Sequence, residues 1–152
     1  MDVLLNAIKT DLAANLPYLQ GVNIIDDELL PPEEIGYPQI GIKDDSEENS
    51  AAQFQRDTEV LRVRVTIYQS VLLKEPGASI MGEPSLGDRG KGVLQIAKDV
   101  KARLHKNKLG LAGYYGARYR SAEPSQTIFS EETAHLAQRK TLIFEYTRSL
   151  AV

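Results

Sequence analysis

Apolar residues recur at helical spacing near the start of the chain. Val3, Leu4, Ala7, Ile8, Leu12 and Leu16 predict an amphipathic helix that Pro17 stops. "VNIIDDELL" and "PQIGIK" are short β-like segments separated by Pro31, Pro32 and Pro38. The clearest pattern is "TEVLRVRVTIYQSVLL". There Leu61, Val63, Val65 and Ile67 alternate with Arg62, Arg64, Thr66 and Tyr68. Period-two alternation with β-branched residues predicts a strand with one packed face and one polar face. Val93, Ile96, Ala97, Val100 and Leu104 then form the stripe of a second helix. "GYYGARYRSA" and "LAQRKTLIFEYTRSL" read as two further strands.

Two connections break this pattern. Asp44 to Asp57, "DDSEENSAAQFQRD", is polar and acidic, and it is long for a linker inside a compact domain. Lys74 to Gly90 is punctuated by Gly and Pro. Both are expected to be mobile in the isolated chain and to order on contact with a partner. The order of elements predicts an α+β fold: a single antiparallel or mixed β-sheet of about four to five strands, with two helices packed on one face. No internal repeat or composition break divides residues 1–152, so one domain is expected.

Composition narrows the chemistry. The chain has 152 residues and no cysteine, which excludes disulfides, thiol nucleophiles and cysteine-based metal sites. The N-terminus lacks a basic, continuously apolar leader, so a secretory signal is not expected, and no window is long and apolar enough to span a bilayer. The net charge of −3 is unevenly spread. Residues 26–59 hold eleven acids against Lys43 and Arg56, whereas residues 60–152 hold fifteen Lys and Arg against eight acids. Such a split fits complementary surfaces on neighbouring copies, or two solvated faces of one monomer.

"RGKGVLQIAKDVKARLHKNK", Arg89 to Lys108, raises a phosphate-binding question. A Walker loop needs G-x-x-x-x-G-K-[ST] after a strand. Here Ser85 stands where the first Gly belongs, Gly92 follows Lys91, and Asp88 follows the correctly spaced Gly82 and Gly87. The pattern fails. Lys98, Lys101, Arg103, His105, Lys106 and Lys108 crowd the helix's second half, where cations complement its dipole. DNA readout by a helix-turn-helix would need a second helix, which is missing. Tyr114, Tyr115 and Tyr119 interleave with Arg118 and Arg120, a pattern that fits either a stacking platform for nucleic acid or the two faces of a strand. Glu132 and His135 have an i, i+3 metal-ligand spacing without a second copy of the motif. The carboxylates at 26–28, 33–34, 44–45 and 47–48 lie in runs typical of solvated surface. No nucleophile motif is present. The reading is a non-enzymatic protein with no cofactor and no metal.

The layout as a whole resembles the tail terminator (tail completion) proteins of tailed bacteriophages, of Mu type or lambda type, and related neck proteins. The residues that carry the resemblance are the N-terminal helix, the acidic segment, "EVLRVRVTIYQ", the Gly/Pro connection, "GVLQIAKDVKARLHKN" and the closing "AQRKTLIFEYTRSL". It rests on size, order and texture over nearly the full chain. The resemblance implies a structural virion protein, assembled in the host cytoplasm. It would form a ring, six-fold in that family, that caps the tail tube and joins it to the head. Implied partners are further copies of the chain, the tail tube protein, a head-tail connector or neck protein, and DNA passing through the lumen without sequence recognition; no membrane is implied. Candidate inter-subunit or partner contacts are Asp44, Asp45, Glu47, Glu48, Arg56, Arg89, Lys91, Arg118 and Arg120. The alternative is a small cytoplasmic nucleic-acid- or peptide-binding module using the Tyr/Arg-rich strand 113–121.

Overall fold

A computed structural model of the chain describes residues 1–28, 36–51, 57–71, 76–130 and 135–150. It is an α+β fold built on one mixed six-stranded sheet. Helix α1 spans Asp2–Asn15, β1 Gly21–Ile24, β2 Gln39–Ala51 and β3 Asp57–Ser70. A short helix α2 (Ala78–Met81) and a 3₁₀ segment (Pro84–Gly90) lead into α3 (Val93–Leu104). Strands β4 (Tyr114–Ala122), β5 (Gln126–Ser130) and β6 (His135–Leu150) follow. The sheet order is β1-β2-β3-β6-β4, with β5 also paired to β6. Among the described strands the β1–β2 pair is parallel and the others are antiparallel.

The core lies between the sheet and the two long helices. Leu61, Val63, Val65 and Ile67 of β3 are fully buried, as the alternation predicts, beside Ile40, Ile42, Leu142, Phe144 and Tyr146. All five predicted stripe residues of α3 are buried. In α1 the buried residues are Leu4, Leu5, Ile8 and Leu12, while Val3 is 59% exposed. Leu4, Ile8, Leu12 and Leu16 of the expected stripe are thus buried, and Leu5 takes the place expected of Val3.

The structure differs from the sequence reading at four points. First, the expected single α+β sheet is present with six strands where about four to five were expected; β5 escapes notice because Gln126–Ser130 is only five residues long. Second, the acidic connection is strand up to Ala51, paired with β3 through Glu47↔Leu61, Glu48↔Val60 and Asn49↔Glu59. Backbone pairing with a strong neighbouring strand overrides the poor β-propensity of Asp, Glu and Ser. A bulge between Asp44 and Ser46 shifts the register there. Residues 52–56 lie outside the described part. Third, the Gly/Pro connection, where it is described, is α2 and the 3₁₀ segment. Fourth, the face of β3 opposite the helices is not simply polar and solvated. Thr66 and Tyr68 are fully buried there. The segment after β1, Ile25–Glu28, lies over that face, and the Tyr68 hydroxyl donates to the Glu28 carbonyl at 2.7 Å. Ile25 packs onto Gly41, where an added Cβ would lie 2.4 Å from its Cδ1.

Strand β6 has sixteen residues and so extends roughly 50 Å. Helices α1 and α3 have fourteen and twelve residues, about 21 and 18 Å. The sheet thus overhangs its helical layer. At one end Glu59, Arg148 and Tyr114 close the helix-side face, with Arg148 Nε donating to Glu59 Oε2 at 2.8 Å. At the other, Gln69 donates to the carbonyls of Arg89 and Lys91, which ties the 3₁₀ segment over the sheet.

Candidate assembly surfaces

The helix-free face of the sheet carries a continuous ionic array. Arg62 of β3 lies directly across from Glu145 of β6, and its Nε donates to Glu145 Oε2 at 3.1 Å. Glu145 Oε1 accepts from Arg118 Nε of β4 at 3.0 Å, and Arg62 also meets Glu48 of β2 at 3.1 Å. Four strands are thereby crossed by one chain of charges. Next along β3, Arg64 binds both carboxylate oxygens of Glu28, contacts Glu123, and lies 3.5 Å from Asp45. Arg139 of β6 donates to the same Glu28 carboxylate at 3.4 Å and to Gln126 Oε1 at 2.6 Å.

Hydrogen bonding to Glu48 raises the Arg62 guanidinium above its ordinary value, and hydrogen bonding to Glu28 does the same for Arg64. These cations therefore stay charged throughout the accessible pH range. The array has a clear consequence for register. A one-residue slip of β3 would swing Arg62 and Arg64 into the apolar core and Val63 and Val65 out, so charge and burial specify the same pairing. A cleft of about 480 Å³, bordered by Asp26, Asp27, Lys43, Asp44, Arg64 and Arg139, opens beside the array. Its walls carry charges of both signs.

The predicted contact residues divide into two groups. Asp45, Glu48 and Arg118 belong to this array. Asp44 lies beside them on β2, 61% exposed and 3.4 Å from Lys43, and Glu47 is exposed on the same strand. Arg120 sits exposed at a bulge of β4 between Tyr119 and Ser121. Arg89 and Lys91 are elsewhere, on the helix side. Lys91 Nζ pairs with Asp99 at 2.8 Å and sits 4.5 Å above the Tyr18 ring, so it tethers α3 to the α1–β1 turn. Arg56 lies outside the described residues. Sequence reading missed the centre of the array, Glu28, Arg62, Arg64 and Glu145. Its signal is present, since charged residues interrupt strongly apolar strands, but pairing them requires the register.

The Gly-Lys-Gly stretch serves packing. A Cβ on Gly90 would lie 2.2 Å from the Glu83 carbonyl oxygen, and one on Gly92 2.2 Å from that of Ile80. Backbone passes over backbone at both points, and the Gln95 side chain accepts the Gly92 N–H at 3.0 Å. The basic end of α3 is likewise partly engaged. Arg103 pairs with Asp11 of α1 at 2.9 Å, Lys101 lies 4.3 Å from the centre of the Tyr119 ring, and His105 Nδ1 accepts the Tyr119 N–H at 3.0 Å. The Tyr/Arg strand is no open stacking platform. Tyr114 packs edge-on against Tyr146, and Tyr119 against Phe144; Tyr115 is 55% exposed. Among the described residues no group of three or more His, Cys, Asp or Glu is placed to hold a metal. Glu132 lies outside the described residues, as does the His135 side chain. No described helix is long and apolar enough to cross a membrane.

No family model matches the chain, and no curated protein matches it. Among solved structures, a chain from the virion of the native gene transfer agent (GTA) particle is similar in fold. The alignment covers 97% of this chain and 95% of that one, with a TM-score of 0.55 at 14% identity. At that identity the likeness concerns the fold alone.

Proposed function

We propose that the chain is a structural virion protein of a phage-like particle, and that it acts as a tail terminator. Copies close into a six-fold ring that caps the tail tube, ends its elongation and presents the surface to which the head joins. The observation that carries this reading is the end-to-end fold similarity to a chain of a GTA virion. The surfaces fit the role. The described residues present an exposed acidic stretch on β2 and exposed cations on β4, surfaces of opposite charge that suit contact between copies. In this reading the partners are further copies, the tube protein and a head-tail connector. DNA passes through the lumen without being read, and the protein resides in the virion neck after assembly in the host cytoplasm.

The experiment is deletion of the gene from the producing genome, followed by electron microscopy of the particles. Tails of unregulated length and tail-free heads are expected, with restoration by the chain supplied in trans. Particles of normal tail length that package and deliver DNA without the chain would sink the reading.

A further inference from the structure

The two edges of the sheet carry opposite charge at the same height. Across the sheet, Glu47 of β2 aligns with Leu61, Tyr146 and then Ala117 of β4; Ser46 aligns with Arg62, Glu145 and Arg118. The acidic half of β2 and the basic strand β4 therefore stand level on opposite sides of the subunit. On the β2 side, β1 pairs only with Gln39–Ile42. Among the described residues, no strand pairs the outer edge of β2 beyond Ile42, and an open edge presents alternate N–H and C=O groups. Asp44 and Glu48 are 61% and 62% exposed along it, and Glu47 is exposed between them.

The β4 side is built differently. The turn after α3 folds back onto the edge: the Lys106 N–H donates to the Ala117 carbonyl at 3.1 Å, and His105 takes the Tyr119 N–H. Lys106 achieves this with φ at 60°, an uncommon conformation for a residue with a side chain. Over Ala117–Tyr119 the turn takes the place a further strand would occupy, and this flank displays cations. Arg120, Lys106 and Lys108 are exposed on it.

We propose that the acidic β2 edge of one copy docks against the basic β4 flank of the next. Asp44, Glu47 and Glu48 meet Arg120, Lys106 and Lys108 of the neighbour. The proposal rests on the ring reading above and supplies its inter-subunit contact. Two unlike patches on opposite sides of one subunit make a heterologous contact, the kind that propagates from copy to copy and closes when the rotation allows. Level placement of the patches favours a planar ring over a rising filament. A β2 edge pairing with its own counterpart is disfavoured, because it would set like charges against each other.

The chain has no cysteine, so introduced ones report cleanly. Glu47→Cys and Arg120→Cys are made singly and together, and the proteins are treated with a short bis-maleimide at high concentration. The double variant should give a ladder of linked oligomers. The two single variants should give dimers only when mixed. Lowering the salt should raise the yield, because the contact is ionic. A ladder that survives nuclease and follows the mixing rule supports the contact. Dimers from Glu47→Cys alone would overturn it in favour of a symmetric edge contact. A ladder lost on nuclease treatment would overturn it in favour of nucleic acid on the basic flank. Absence of linkage while sedimentation shows oligomers would overturn this contact and leave the ring standing. Absence of both would overturn the contact as an intrinsic property of the chain, and the deletion phenotype would still judge the function. As a check on folding, Lys108→Glu with Lys106→Glu should abolish linkage to wild-type-edge partners while the melting temperature is kept.

Discussion

Val63 offers the sharpest test of the core. It is fully buried on the helix side of β3, directly across from Asp44 on β2 and Phe144 on β6. Val63→Ala removes two carbons. Their transfer is worth about 1.6 kcal/mol, at about 0.8 kcal/mol for each buried methylene. The cavity left in a sheet pinned on both sides adds to this, for a total of about 2–3 kcal/mol. Proteins of this size typically hold about 5–15 kcal/mol in all. The loss should lower the melting temperature by roughly 5–10 °C. Val60, on the opposite face of the same strand and only half-buried, is the control, and Val60→Ala should cost under about 1 kcal/mol. Val63→Asp places a carboxylate in the core and should prevent folding. The assay is urea unfolding, where Val63→Ala should lower the midpoint at unchanged slope. A Val63→Ala protein within about 0.5 kcal/mol of wild type, or a Val60→Ala protein as damaged as Val63→Ala, would refute the facing of β3 and the register built on it.

Two further outcomes are expected. Gly92→Ala would bring a methyl within 2.2 Å of the Ile80 carbonyl oxygen and 2.6 Å of the Gly82 nitrogen. Both are backbone atoms, so α2 must shift at a cost of about 1–3 kcal/mol; an unchanged urea midpoint would show that α2 does not pack there. Burial raises the Tyr68 and Tyr146 phenols above their ordinary value of about 10. Their folded state favours the neutral form, so the stability they contribute is complete below about pH 10 and drains as pH climbs from there toward the folded values. Phenolate absorbance should show tyrosines that ionise only with unfolding; smooth, reversible titration of all seven in the folded protein would contradict their burial.

Much of the architecture is legible in the sequence wherever one face of an element is apolar. The α3 stripe Val93, Ile96, Ala97, Val100 and Leu104 is buried as its spacing predicts, and so is the Leu61–Ile67 alternation. What escapes is structure imposed by neighbours. Asp44–Ala51 has no apolar period and is strand because β3 offers it a ladder. Thr66 and Tyr68 look solvent-facing along β3, yet they are buried, with Ile25–Glu28 after β1 lying over that face, and nothing local to β3 encodes that cover. Gly90 and Gly92 read as loop flexibility because close backbone passage has no sequence period. The contact candidates were found by charge alone. Charge picks out Asp45, Glu48 and Arg118, which the fold brings to one face, and equally Lys91, which lies on the helix side with Asp99 as its partner. The Arg62–Glu145 pair at the centre of that surface joins residues 83 positions apart, a distance only register can bridge.

The central claim is that copies of this chain form a ring at the head-proximal end of a tail. Its most direct test is a cryo-electron microscopy reconstruction of the head–tail junction in purified particles. The account predicts one planar ring of this chain, each copy related to the next by rotation, with the β2 edge of one against the β4 flank of its neighbour. Particles in which the chain is absent, or is found only in the head shell or fibres, would contradict it.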